Sequence, residues 1–245
     1  ECGHGEFEPE EDVFDTWATS SLTPLVNADW GWDGEDYVID REELYPMNLR
    51  YQGHDIISFW LFHTLVKCYE HTGEVPFDEV QINGMILDSD RRKMSKSVGN
   101  VTTPDEILEE FSVDAARYWS AGSAVGEDLA LKKDEIKSGE KLVRKLWNAS
   151  KLVKKIGHKN MPEIEEDELD EIDRWMLAEL DETIEEVTER MENYEYSKAR
   201  DNLRVAFWHT FCDDYLEIAK QKMEEETNLS TVYALKKSHS AFVRM

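Results

Sequence analysis

Two lysines interleaved with hydroxyls, in the run Lys93-Met94-Ser95-Lys96-Ser97 followed by Val98, Gly99 and Asn100, are the residues best placed by type and spacing to do chemistry. Ammonium groups on a loop leaving a strand can follow a triphosphate as its geometry changes, supplying positive charge where negative charge develops. Such a loop suits phosphoryl or nucleotidyl transfer. A solvated basic loop is the plain alternative for Lys-Ser repeats of arbitrary order. Ile56 and Trp60, four residues apart, share a face if their segment is helical, and a rigid indole can wall off a small side chain. Read without further context, Trp17, Ile56 and Trp60 are simply core.

The elements around these residues follow from local patterns. Leu49 to Tyr51, then Gly53 and an apolar run over residues 56–66, reads as strand, tight turn and helix, and residues 80–87 read as another strand. This is an α/β pattern. A polar loop follows Leu87, and Thr103, Pro104 and Glu106 supply an N-cap, a proline at the first helical position and a capping-box acid, so a helix begins at Pro104. The second half is helical. Leu142, Leu146, Ala149, Val153 and Ile156 recur at helical spacing, as do Ile172, Met176, Leu180, Ile184, Val187 and Met191. Tyr196, Ala199, Leu203, Phe207, Phe211, Tyr215 and Ala219 repeat the pattern, which predicts three long amphipathic helices in a bundle. A loop over residues 157–161, with Pro162, parts the first two.

The 245 residues suit two domains, and 40% hydrophobic residues provide for a real core. A net charge of −26 argues against a chain that wraps nucleic acid everywhere, and no apolar run approaches the roughly 20 residues of a membrane span. Charge is unevenly placed. Residues 132–159 hold ten Lys or Arg against three acids, whereas residues 163–195 hold sixteen acids against Arg174 and Arg190. Three distant cysteines, Cys2, Cys68 and Cys212, imply no disulfide framework and fit a reducing cytoplasm. Cys68 and Cys212 fall in apolar helical stretches and read as buried core; His63 and His209 read as structural. The termini carry neither a signal segment nor a helix-stop signal, so an excised fragment is expected.

The unbroken order KMSKS followed by Gly-Asn resembles the second signature of the class I aminoacyl-tRNA synthetases. Asp12-Val-Phe-Asp15-Thr16-Trp17 with Ser20 and Ser21, Gly53-His-Asp55-Ile-Ile-Ser-Phe-Trp60, Lys145-Leu-Trp147-Asn148-Ala149 and Phe207-Trp208 with Phe211-Cys-Asp213 and Tyr215-Leu-Glu217 are further landmarks. In order and spacing they look like those of the valyl-tRNA synthetases. The resemblance implies an α/β plus all-α fold. Residues 1–130 would be the C-terminal half of a Rossmann-like catalytic domain with the KMSKS loop. Residues 131–245 would be a truncated helical anticodon-binding domain. The N-terminal catalytic half, with its HIGH-type signature, and the editing domain would lie elsewhere in the parent chain.

The same resemblance implies roles. ATP, with Mg2+, would be bound by Gly53 and Asp55 at the ribose, by backbone around Asn83, Gly84, Met85 and Ile86 at adenine, and by Ser95 and Ser97. A glycine permits close backbone approach and a carboxylate accepts from two hydroxyls; Asp55 also suits a helix N-cap. Many relatives have His-Gly where Asn83-Gly84 stands. Lys93 and Lys96 would be catalytic, assisting departure of pyrophosphate. Trp17, Ile56 and Trp60 match positions lining the valine pocket. Trp147, Asn148 and the lysines after them, Lys151, Lys154 and Lys155, fall where the helical domain meets tRNA(Val), with Arg144 replacing an expected asparagine. The implied reaction is activation of valine by ATP and transfer to tRNA. An isoleucyl-type enzyme is the nearest rival, and a tRNA-binding module without chemistry is the rival of another class. No metal site is expected, since Cys2 and His4 lack local partners for four ligands. The acid excess resembles proteins adapted to high salt, where screening shortens repulsion.

Overall fold

The structure is a computed structural model and describes residues 9–156, 162–225 and 228–245. Two units divide the chain after Gly84.

In the first unit, Asp15 caps α1 (Thr16–Ser20) by accepting the Trp17 N–H at 2.5 Å, and Pro24 sits in the first turn of α2 (Thr23–Asn27), where a missing N–H costs nothing. A short antiparallel pair, β1 (Gly31–Trp32) and β2 (Tyr37–Val38), brings Tyr37 onto Trp30 with ring centroids 4.8 Å apart. β3 (Met47–Gly53) needs a crossover to reach a parallel neighbour. α3 (Phe62–Thr72) provides it, ends at Gly73 with φ 76°, and leads to β4 (Phe77–Asn83), paired from Met47 opposite Phe77 to Gly53 opposite Asn83. Leu25, Ala28, Tyr45 and Cys68 form the core. The buried Arg50 lies with its guanidinium 3.4 Å from the Trp60 ring centroid and donates to Thr64 Oγ1 at 3.3 Å.

Two expectations are corrected here. The apolar run after β3 is not one α-helix: His54–Ile56 is a 3₁₀ turn and Ile57–Leu61 a π turn before α3 begins. Thr64 Oγ1 donates to the Trp60 carbonyl at 2.7 Å, and a side chain competing for a helical carbonyl loosens the regular ladder. The strand expected over residues 80–87 is two strands. β4 ends at Asn83 and β5 (Ile86–Leu87) pairs elsewhere, because the Met85 N–H donates to Asp128 Oδ1 at 2.7 Å rather than extending a ladder.

In the second unit, α4 (Pro104–Glu110) begins as the sequence predicts. Thr103 Oγ1 accepts the Glu106 N–H at 3.3 Å, and the Glu106 carboxylate accepts the Thr103 N–H at 2.9 Å. α5 (Val113–Ser120), capped by Ser112, is followed by β6 (Leu129–Ala130), which lies parallel to β5, and by α6 (Lys133–Ile156). α5 and α6 meet at Gly139, where an added Cβ would stand 3.0 Å from the Ala115 carbonyl oxygen. Phe111, Ala115, Trp119, Leu131 and Ile136 form the apolar cluster beneath them.

The bundle has α6, α7 (Glu171–Glu192), α8 (Tyr196–Val205) continuing through a π stretch, Ala206–Tyr215, into α9 (Leu216–Glu225), and α10 (Leu229–Arg244). The third expected helix is therefore one rod with a widened middle, and α10 is an element the periodicity did not reveal. α10 buries Ser230, Thr231, Ala234 and Ser238 beside Val232, Leu235 and Phe242, so small and polar residues mask its inner face. Met176, Leu180, Phe211, Tyr215 and Leu235 centre the core, with Phe211 and Phe242 rings 5.3 Å apart. At its base the fully buried Asp173 accepts from Tyr215 Oη at 2.7 Å, Lys222 Nζ at 2.9 Å, Ser230 Oγ at 2.7 Å and Thr231 Oγ1 at 3.0 Å. The loop over residues 157–161, with Lys159, lies outside the described residues, as do Cys2 and His4.

Candidate functional site

The KMSKS loop hangs between β5 and α4, and its base is fixed by polar contacts. Leu87 and Lys93 form an antiparallel bridge, with Arg91 between them at φ 63°. The Asp88 carboxylate, 8% exposed, accepts from the N–H groups of Asp90 at 3.0 Å and Arg92 at 2.8 Å, from Arg92 Nε at 3.1 Å and from Asn100 Nδ2 at 2.8 Å. The Arg92 N–H and the Asn100 amide hold this carboxyl below the ordinary carboxylate range. Asn100 also donates to the Lys93 carbonyl at 3.2 Å and accepts the Ser95 N–H at 2.9 Å. Met94 packs on the Phe111, Ala115, Trp119 cluster. Above this base the Ser95 and Ser97 hydroxyls lie 3.2 Å apart, and Gly99, at φ 75°, closes the turn by donating to the Ser95 carbonyl at 3.1 Å. Lys93 and Lys96 are both exposed.

The other residues singled out from the sequence fall into separate groups. An added Cβ on Gly53 would lie 2.8 Å from Asp55 Oδ1, so a side chain there displaces the exposed Asp55 carboxylate. Asp55 is exposed and stands inside the 3₁₀ turn; Gly53 holds the N-cap position, which corrects the cap reading of Asp55. Met85 has its N–H on Asp128 and its carbonyl accepting the Leu129 N–H at 2.9 Å, leaving one carbonyl lone pair for a ligand. Trp17 stacks on Phe59 with centroids 6.0 Å apart, and Trp60 Nε1 donates to the Ser20 carbonyl at 3.2 Å. Trp17, Ile56 and Trp60 are each half-buried rather than core. Cys68 and Cys212 are buried, and burial pushes both thiols up to about 11, which leaves them unreactive near neutrality.

On α6 the basic residues divide. Arg144, Trp147, Asn148, Lys151, Lys154 and Lys155 are exposed along one side, with Trp147 63% exposed and Lys151 Nζ 5.3 Å from its ring. Lys145 faces the bundle, where it contacts Asp213 Oδ1 at 2.5 Å and lies 4.3 Å from the Trp208 ring. That ammonium holds the Asp213 carboxyl low, with His209 Nδ1 3.1 Å from the other oxygen. His209 is exposed and meets Asp213 one turn on, a contact within the helix. Sequence reasoning gave Asp88 and Arg92 no part in the loop, and Met94 and Asn100 none beyond their places in the motif. Asp-rich turn composition ahead of Lys93 was the available signal.

No group of three or more His, Cys, Asp or Glu side chains among the described residues is arranged to hold a metal ion, and no helix among them is long and apolar enough to cross a membrane.

Residues 1–132 match the family described as tRNA synthetases class I (I, L, M and V), and residues 173–245 match the anticodon-binding domain of tRNA ligase. The valine--tRNA ligase of Haloarcula marismortui is 59% identical over 100% of this chain, which covers 27% of that protein. The valine--tRNA ligase of Methanothermobacter thermautotrophicus is 44% identical over 91% of this chain and 24% of its own length. The chain therefore spans about a quarter of the curated relatives it matches. Among solved structures, Mycobacterium tuberculosis methionyl-tRNA synthetase in complex with methionyl-adenylate superposes with a TM-score of 0.72 at 20% identity, over 92% of this chain and 46% of that one. An Agrobacterium radiobacter LeuRS-tRNA-LeuAMS complex gives 0.66 at 18% identity, over 96% and 31%. The fold is accordingly part of a Rossmann-like catalytic region followed by a helical anticodon-binding region. With 132 of its 245 residues matched to that family, the chain belongs to the class I tRNA synthetases of the isoleucine, leucine, methionine and valine group.

Proposed function

We propose that this chain is the portion of a valine–tRNA ligase that carries the activation loop and the start of the tRNA-binding helices. The observation that carries the reading is 59% identity along the whole chain to a valine--tRNA ligase, with the KMSKS loop intact. That identity also favours valine over isoleucine as the amino acid. Residues 1–130 then serve activation and residues 131–245 serve tRNA binding.

In the reaction, the valine carboxylate attacks the α-phosphorus of ATP in line, forming valyl-adenylate and releasing pyrophosphate. No covalent enzyme nucleophile is needed, so catalysis rests on orientation and on charge placed where it develops. Lys96 and Lys93 neutralise the departing pyrophosphate, and the Ser95 and Ser97 hydroxyls donate to phosphate oxygens. ATP enters as its magnesium complex. Asp55 accepts from the ribose hydroxyls beside Gly53, and backbone at Gly84, Met85 and Ile86 holds adenine. Trp17, Ile56 and Trp60 shape the valine pocket. The exposed side of α6, with Lys151, Lys154 and Lys155 beside Trp147, meets the phosphates of tRNA(Val). Work in the cytoplasm follows from that role.

The test is amino-acid-dependent pyrophosphate exchange by the full-length ligase carrying this segment. Exchange driven by valine far above isoleucine, leucine and methionine is expected. Preference for any of the other three overturns the assignment.

A further inference from the structure

We propose that Asp88 and Asn100 are positioning residues for adenylate formation: together they clasp the base of the KMSKS loop and set where Lys93 and Lys96 stand. This rests on the reading that the loop acts in activation.

The Asn100 side chain bonds in three directions. Its Nδ2 donates to Asp88 Oδ2 at 2.8 Å and to the Lys93 carbonyl at 3.2 Å, while its Oδ1 accepts the Ser95 N–H at 2.9 Å. Both amide protons are thereby committed to the protein. Asp88 is equally committed: two backbone N–H groups, Arg92 Nε and Asn100 Nδ2 meet its two oxygens, and Arg92 is shared between it and Asp90. With four donors at four lone-pair positions, this carboxylate has no capacity left for a substrate proton or a cation. Its place on the loop is structural in contact and catalytic in consequence.

The clasp acts on the segment's ends and not on its tip. The Lys93 carbonyl and Ser95 N–H are tied to Asn100, and Met94 between them is seated in the apolar cluster. Beyond Ser95, the turn is held by bonds within itself, from the Val98 and Gly99 N–H groups to the Ser95 carbonyl at 3.2 and 3.1 Å. Lys96 is exposed at the tip. A fixed base with a free tip lets the Lys96 ammonium track the phosphates while the backbone that launches it stays in register. Misplacement of such a group by about 1 Å costs on the order of 100-fold in rate.

The experiment uses the full-length ligase carrying this segment and follows valyl-adenylate formation before the first turnover. Asn100→Asp keeps the acceptor for Ser95, removes both donors and sets a second carboxylate against Asp88. It is expected to slow activation by about 10- to 100-fold with ATP and valine dissociation constants little changed, and to spare transfer from preformed valyl-adenylate. Asn100→Gln, which retains the amide but shifts it by one methylene, should show the same split between activation and binding. Lys96→Ala is the control for the underlying reading. If Lys96→Ala slows activation but both Asn100 variants do not, the clasp has no positioning role. Equal loss in activation and transfer also overturns it. Unchanged activation in Lys96→Ala removes the loop from the chemistry, and this proposal with it.

Discussion

Replacing Asp173 by alanine is expected to destabilise the helical region by about 3 to 5 kcal/mol, the scale for leaving several buried hydroxyl donors without their acceptor. The structure shows how that figure arises. Of the four donors on this fully buried carboxylate, Lys222 keeps Asp170 at 2.7 Å, while the buried Ser230 hydroxyl goes on accepting the Asp170 N–H at 2.9 Å but has its own proton left without the Asp173 acceptor. The Tyr215 and Thr231 hydroxyls, both fully buried, lose the acceptor, at about 1 to 3 kcal/mol each. Asp173→Asn keeps the volume and one acceptor oxygen, and rotating hydroxyls can accept from the new amide whereas Lys222 cannot. Its cost should be nearer 2 kcal/mol. Urea titration followed by far-UV circular dichroism measures both. With a slope of about 1 to 3 kcal/mol per molar urea, the alanine midpoint should fall by more than about 1 M. Both variants lying within about 1 kcal/mol of wild type, or asparagine costing as much as alanine, would refute the reasoning.

The pH dependence of the same network has two limbs. Lys222 and Asn228 hold the Asp170 carboxyl below its ordinary value, so its contribution is present above about 3.9 and lost as pH falls through the folded value. Asp170 and Asp173 raise the Lys222 ammonium, whose contribution is complete below about 10.4 and lost as pH rises through the folded value. Lys222→Met should therefore diminish both limbs of the stability profile.

Gly53→Ala forces a Cβ to within 2.8 Å of Asp55 Oδ1 and should raise KM for ATP in pyrophosphate exchange without altering KM for valine; an unchanged ATP dependence removes Asp55 from the nucleotide site. Neutralising Lys151, Lys154 and Lys155 together should weaken tRNA binding and flatten its log-log salt dependence by roughly 2 to 3 units, with adenylate formation spared; unaltered affinity at low salt leaves these residues as a solvated face. The net charge of −26 predicts that raising potassium chloride from 0.1 to 1 M, which shortens the screening length from about 10 to about 3 Å, raises Tm; a falling Tm contradicts self-repulsion as a burden on this chain.

What the sequence made legible was what local rules govern. The capping box at Thr103 and Glu106 needs only residues in one turn, and α6 and α7 declare themselves by apolar spacing. The KMSKS loop is legible because its order is distinctive. What escaped depends on contacts far apart in sequence. The π turn at Ile57–Leu61 accompanies Thr64 bonding back to Trp60 while Trp60 reaches Ser20. The break between β4 and β5 follows from Asp128 capturing the Met85 N–H, 43 residues away. α10 hides because its buried Ser230 and Thr231 serve Asp173, so polar residues occupy positions where apolar spacing would have signalled a helix. In the candidate site the lysines were legible and the clasp was not, since Asp88 and Asn100 meet across 12 residues of loop.

The most direct test of the central claim is pre-steady-state measurement of both half-reactions in Lys96→Ala of the full-length ligase carrying this segment. If the Lys96 ammonium acts as charge accumulates between the phosphates, adenylate formation should slow by the equivalent of roughly 3 to 4 kcal/mol, the scale for one preorganised donor. Ground-state binding of ATP and valine should change little, because only interactions stronger in the transition state accelerate a step. Transfer from preformed valyl-adenylate should be comparatively spared, since pyrophosphate has already left. Equal losses in the two steps, or an unchanged activation rate, would contradict the account and leave the loop a structural element.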